Sequence, residues 1–286
     1  MKKILTIMCL LFLTSPVWAN NCPTEICVAP YDLSGGAVKI FSAATGSNFV
    51  SKKVAESIIK KEAKKIGNTN FDVKIESYSY ADLMAGRFKS LEIKGKNINY
   101  DNLSLSSLYA KTICDFNYVI RDNNTKKITF KEALPFTFKV TANTENINEM
   151  LKSSDYQKLV DELNAIGGTF NLVKIKSTQI KIKDNKFLYI INLALPFMKN
   201  TQSVILSSDL TVENGRIALK DTKLINNGVS LDITKLTYML KYLNPFDYSI
   251  RIMKDVSAQL QIQNVTIDND EVIVTGNFII PKGTIQ

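Results

Sequence analysis

From Phe71 onward, apolar and polar residues mostly alternate with a period of two, as half-buried strands require. Phe71, Val73 and Ile75 share a face. Leu91 and Ile93 do the same against Ser90, Glu92 and Lys94, as do Leu108, Ala110, Cys114, Phe116, Tyr118 and Ile120. The pattern predicts further strands over Leu134 to Ala142, Phe170 to Lys183, Lys186 to Leu195, Gln202 to Val212, Arg216 to Ile225, Val256 to Ile267 and Glu271 to Ile280. Turn residues fall between them, at Asp184-Asn185, at Glu213-Asn214-Gly215 and at Asp268 to Glu271. The chain therefore reads as long antiparallel strands.

Three stretches change to helical spacing. Ser51 to Ile66 carries one row at Val50, Val54 and Ile58 and a second at Ala55, Ile59, Ala63 and Ile66, with lysines over most of the rest. Asn143 to Ile166 repeats the spacing through Ile147, Met150, Leu151, Tyr156, Leu159, Val160 and Leu163. Leu231 to Leu243 repeats it through Ile233, Leu236, Met239, Leu240 and Leu243 and stops at Asn244-Pro245. The fold class is α+β, with few amphipathic helices to cover a great deal of sheet. A strongly curved sheet wrapped around the long amphipathic helix would leave an apolar groove; a filled helix-on-sheet core is the ordinary alternative. Periodicity registers burial without saying what does the burying.

The stretch Ser79 to Ile98, SYADLMAGRFKSLEIKGKNI, joins a short helical turn over Tyr80 to Gly86 to a strand beginning at Arg87-Phe88. Phe88 has the opposite parity to Leu91 and Ile93, so the strand is expected to bulge near Lys89-Ser90. Ahead of these elements, residues 20–48 contain Pro23, Pro30, Gly35, Gly36 and Gly46 and read as an N-terminal extension with one strand at Ala37 to Ala43.

The first 19 residues, MKKILTIMCLLFLTSPVWA, have two lysines, a short apolar run and then Val17-Trp18-Ala19, with small or medium residues where a signal peptidase needs them, which predicts a signal peptide cleaved after Ala19. Cys22 follows two asparagines, so lipidation is not expected. The mature chain is expected in the periplasm or otherwise exported. Losing Lys2 and Lys3 leaves 34 basic residues against 27 acidic ones, a net +7. That balance suits peripheral contact with an anionic membrane surface, but there is no polybasic block, and scattered solvated lysines are the commoner explanation. No nucleic-acid partner is expected.

Composition narrows the chemistry. The sequence contains no histidine, which removes Ser-His and Cys-His nucleophiles and most zinc sites. There is no nucleophile elbow, phosphate loop or dinucleotide fingerprint, and no cofactor or metal is expected. A glycosidase working with two carboxylates survives in principle. Asp268, Asn269, Asp270 and Glu271 lack the spaced oxygen ligands of a calcium loop. In an oxidising compartment Cys22 and Cys27 can close a small loop, which leaves Cys114 as a buried free thiol; spacing leaves the other pairings open.

The order of motifs resembles the LmeA-like phospholipid-binding proteins, an exported bacterial family. The likeness rests on the helix from Val54-Ala55-Glu56 to Ile66, on Leu83-Met84-Ala85-Gly86-Arg87, on the strands FKSLEIKGKNI and Leu103-Ser104-Leu105, on VTANTENINEML and on VENGRIALKDTKL, and runs from about Phe49 to Pro281. The resemblance implies a tubular lipid-binding fold over residues 49–286, with phospholipid or another acyl-chain lipid held in an apolar groove and no catalysis. Val54, Ile58, Leu83, Met84, Phe88, Leu91, Leu236, Met239 and Leu240 are the expected lining. The cysteine-bearing segment departs from the family's actinobacterial branch, which supports mannan lipoglycan elongation, and nothing specifies that pathway here. The rival readings are a secreted adhesion or scaffold module that binds a protein through its sheet, and a histidine-free envelope glycosidase.

Overall fold

A computed structural model describes residues 26–44, 47–67, 71–100, 103–122, 124, 127–168, 174–195, 199–225, 243–244, 246 and 259–285. The predicted signal peptide and Cys22 lie outside these residues, as does the third predicted helix apart from its end at Leu243. None of the described helices is long and apolar enough to cross a membrane.

The elements in chain order are α1 (Gly36–Ala44), α2 (Ser47–Gly67), β1 (Phe71–Glu76), α3 (Tyr80–Met84), β2 (Arg87–Phe88), β3 (Ser90–Tyr100), β4 (Leu103–Thr112), β5 (Asn117–Arg121), β6 (Ile128–Phe130), β7 (Leu134–Asn143), α4 (Thr144–Leu151), α5 (Ser154–Gly168), β8 (Lys174–Lys183), β9 (Lys186–Ala194), β10 (Gln202–Glu213), β11 (Arg216–Leu224), β12 (Gln259–Asp268), β13 (Glu271–Ile280) and β14 (Gly283–Ile285). They form three open sheets, ordered β1-β3-β4-β7-β13-β12, β11-β10-β9-β8 and β14-β6-β5-β2. Every described pairing is antiparallel.

Three of the hairpins close in two residues with positive φ at both: Asp184-Asn185, Asn214-Gly215 and Asn269-Asp270. Their partners across the turn are Lys183 and Lys186, Glu213 and Arg216, and Asp268 and Glu271. Asn, Asp and Gly tolerate that backbone, whose twist matches the flanking strands, so these loops set the register locally. Inward residues then alternate as expected: Phe136, Phe138, Val140 and Ala142 on β7, Val272, Val274, Phe278 and Ile280 on β13, and Phe187, Tyr189, Ile191 and Leu193 on β9 are all buried.

Open sheets leave strand edges with unpaired backbone groups. Here helix side chains take them. Asn148 on α4 donates to the Ile180 carbonyl and accepts from its N–H, both at 2.8 Å, and Asn164 on α5 does the same at Ile175, at 2.9 and 2.8 Å. The two side-chain amides imitate a neighbouring strand along the outer edge of β8. At the far edge of the large sheet, Glu56 on α2 accepts from the Ile75 N–H of β1 at 3.1 Å.

That last bond is part of why the tubular expectation fails. Among the described residues the fold is mostly antiparallel sheet, its sheets are not closed, and no long amphipathic helix lies inside a curved wall. Helix α2 forms close to the predicted boundaries, but it packs on β1 with Ser51 and Glu56 buried and Ala55 and Ile59 against the core. Its other apolar row faces outward: Val54 and Ile58 are 53% and 47% exposed. A buried glutamate bonded to a strand edge fixes the rotation of the helix, and two apolar rows one residue apart cannot both face β1.

Smaller differences have local causes. The strand predicted at Ala37 to Ala43 is helix α1. The helix predicted from Asn143 to Ile166 is two, α4 and α5, parted at Lys152-Ser153, where the Ser153 hydroxyl accepts from the Tyr156 N–H at 3.3 Å and starts the second. Helix α4 begins on a capping box in which Asn143 and Asn146 exchange side-chain and backbone bonds.

Candidate functional site

At the joint from Ser79 to Arg87 the short helical turn forms as expected, as α3, but Arg87-Phe88 is not the bulged start of β3: it is a separate strand, β2, paired with β5 in another sheet. The chemistry of the joint is a latch for the N-terminal segment. Ser79 caps α3 by accepting from the Asp82 N–H at 3.1 Å, and its hydroxyl donates back to Asp82 Oδ2 at 2.6 Å. Ser34 donates to the same carboxylate from its N–H at 2.9 Å and its hydroxyl at 2.7 Å. Arg87 lies 3.5 Å from Asp82 and 3.0 Å from Asp32. Nearby, the Tyr31 ring packs on Phe116 at 4.9 Å between centroids, and its hydroxyl donates to Glu132, which pushes the Tyr31 pKa up to about 12.

The same segment is bonded covalently. Cys27 pairs with Cys114, with Cα atoms 5.3 Å apart, which corrects both the expected Cys22–Cys27 bridge and the expected free thiol at Cys114. Short sequence spacing made the first pairing easy, but the contacts of Tyr31, Asp32 and Ser34 bring residue 27 to the end of β4, 87 positions away. Segment 26–34 is therefore built into the body and is not a loose extension.

Asp82 is fully buried. Burial alone would raise its pKa, but the hydrogen bonds from Ser79 and Ser34 and the Arg87 guanidinium outweigh it and hold the carboxyl below its usual value. A depressed folded pKa contributes stability that is fully present above the unfolded value of about 3.9 and is lost as pH falls through the folded one. We expect Asp82→Asn to lower the midpoint at neutral pH and to flatten its decline below about pH 4. Parallel midpoint curves for the two proteins would remove Asp82 from the acid response. The other buried carboxylate described, Glu56, is bonded to Lys53 and to the β1 edge. Both hold backbone, Asp82 the Ser34 N–H and Glu56 the Ile75 N–H.

Six of the nine expected lipid-lining residues are described, and they divide between surface and core. Val54, Ile58 and Met84 are exposed, Met84 at 68%. Leu83, Phe88 and Leu91 are half-buried and pack against the core. Leu236, Met239 and Leu240 lie outside the described residues. A substitution at Ile58 accordingly tests a surface and no cavity.

An apolar cleft sits elsewhere, between the two larger sheets. Leu103 and Leu105 on β4, Val140 and Ala142 on β7, Ile262 on β12, and Val272 and Val274 on β13 form one wall. Ile217 on β11 forms the other, with Met150 of α4 and Phe246 between them. The space between these side chains is about 50 Å³, and none of the side chains lining it is polar. Leu103 and Phe246 are half-buried and form its rim; the other lining residues are buried. The backbone of Phe246 is held by its neighbours: Asn244 accepts from the Phe246 N–H at 3.1 Å and donates to the Ile217 carbonyl at 2.9 Å. One residue further back, the Leu243 carbonyl accepts from the hydroxyls of Tyr156 and Tyr189, at 3.3 and 3.2 Å. Burial raises the pKa of both phenols, so they act as neutral donors.

Sequence reasoning found the inward parity of these strands, but the cleft depends on how two sheets approach each other, and no local pattern reports that. No protein-family model matches the chain, and no curated protein or solved structure does either. The resemblance to LmeA-like proteins rests on its motifs alone.

Proposed function

We propose that this chain is an exported, non-catalytic protein that holds the apolar part of a lipid between its two larger sheets. The observation that carries this reading is the cleft lined by apolar side chains alone. At about 50 Å³ it is smaller than the roughly 150 Å³ of a cavity that admits benzene, so an acyl chain enters by displacing the rim at Leu103 and Phe246. Each methylene then leaves water for a gain of about 0.8 kcal/mol, which offsets the cost of parting the side chains. The motifs shared with LmeA-like phospholipid-binding proteins support the same ligand class.

Solvent extraction of the protein purified from its native compartment, followed by mass spectrometry, is expected to yield phospholipid or fatty acid in near-stoichiometric amount. Ala142→Leu fills the cleft from the β7 wall. In the delipidated protein it is expected to leave the midpoint unchanged or raise stability by up to about 1 kcal/mol, as cavity filling does. Uptake of a fluorescent fatty acid should fall about tenfold or more, the equivalent of roughly two methylenes. Undiminished uptake by a folded Ala142→Leu protein, or wild-type protein that never carries lipid, would sink the proposal.

A further inference from the structure

Helices α1, α2 and α3 pack against one another beside the β1 edge of the large sheet. Most of the exposed large apolar side chains described in the molecule are on these three helices. Val38 and Ile40 of α1 are 42% and 73% exposed, Phe49, Val54 and Ile58 of α2 are 66%, 53% and 47%, and Met84 of α3 is 68%. Water is a poor environment for so much aliphatic and aromatic surface on three adjoining helices, and a local excess of exposed apolar side chains marks a place where something docks.

Charge identifies the occupant. Residues 36–67 carry seven lysines, at positions 39, 52, 53, 60, 61, 64 and 65, against Glu56 and Glu62, and α1 has no acid at all. Glu56 is buried and paired with Lys53, so it offers nothing outward. Lys53 also lies 5.8 Å from the centroid of the Phe49 ring, a cation beside an exposed apolar group. Protein-binding surfaces favour arginine and aromatic residues at their centres and are depleted in lysine. Lysines beside short aliphatic and aromatic side chains on helices are instead what lies flat at a bilayer interface, with apolar groups among the acyl chains and ammonium groups at the headgroups.

We propose that the α1-α2-α3 face is a docking surface for an anionic phospholipid bilayer. The inference stands on these helices and not on the cleft, and the two readings can fail separately. If both hold, the protein meets a membrane on one face and carries lipid in its interior.

The test is co-sedimentation of the purified mature protein with vesicles of phosphatidylglycerol mixed with phosphatidylcholine, against vesicles of phosphatidylcholine alone. Binding is expected to the anionic vesicles and to weaken markedly near about 1 M salt, where the screening length is about 3 Å. The triple variant Ile40→Glu, Phe49→Glu, Met84→Glu changes one exposed residue on each helix. It should keep its midpoint and lose anionic-vesicle binding by about tenfold or more, since each change removes an apolar anchor and adds repulsion. The Ala142→Leu protein should bind vesicles as the wild type does, whatever happens to its fatty-acid uptake. No binding to either vesicle, or equal binding by the folded triple variant, overturns the proposal. A wild-type dimer in sedimentation that the triple variant converts to monomer, without vesicle binding, gives this face to a second copy of the chain and overturns it as well.

Discussion

Reduction of the Cys27–Cys114 bridge is expected to lower stability by about 4 to 5 kcal/mol, the loop entropy of a closure spanning 87 residues. In a chain of this size that corresponds to a fall in the thermal midpoint on the order of 10 °C. The latch adds to the effect. Once the covalent bond is gone, Ser34 must be held to Asp82, and Asp32 to Arg87, by hydrogen bonds and ion pairs alone. Cys114→Ala should reproduce the loss, and Cys22→Ala should leave the midpoint unchanged. The opposite ranking, or non-reducing peptide maps showing Cys22 joined to Cys27, would return the bridge to the short loop.

Gly86→Ala is expected to cost about 3 kcal/mol or more, a large effect for a single methyl group. Two causes combine. The residue has φ of +83°, where side chains with a Cβ are strained, and the added Cβ would sit 1.9 Å from the Val119 carbonyl oxygen and 2.9 Å from its carbon. Val119 donates its N–H to the Gly86 carbonyl at 2.9 Å, so the backbone cannot move aside without giving up the approach of β5 to the joint. Gly35→Ala is the control, because nothing lies within 4 Å of the new atom there; we expect a change within about 0.5 kcal/mol. Denaturant midpoints for the two variants measure the contrast, and similar values would show that the close contact at Val119 is not maintained in solution.

The joint and the cleft differ in how far the sequence could disclose them. Residues Ser79, Asp82, Gly86 and Arg87 lie within nine positions, and their types already announce a helix cap, a left-handed turn and a strand start. Their purpose was not legible, because the partners Asp32 and Ser34 are more than 40 positions away and carry no local mark. The edge-covering role of Asn148 and Asn164 was hidden for the same reason. An asparagine in a helix signals nothing until the strand beside it is known. For helix α2 the period showed two apolar rows, and only the buried Glu56 at the sheet edge decided which row faces in.

By itself the sequence determined what depends on neighbours a few residues apart: the period-two strands, the three tight hairpins with Asn, Asp or Gly at positive φ, the capped helices and the absence of histidine chemistry. Those choices rest on backbone sterics and local hydrogen bonds, which the residue type sets directly. The tertiary structure alone decided which cysteines meet, which face of α2 is buried, and that the strands form open sheets enclosing a small apolar cleft and not a tube around a helix. These outcomes are competitions among distant surfaces of similar hydrophobicity. Apolar burial has no direction of its own, so the winner is set by the fit of whole elements and by the few buried polar groups that must find partners.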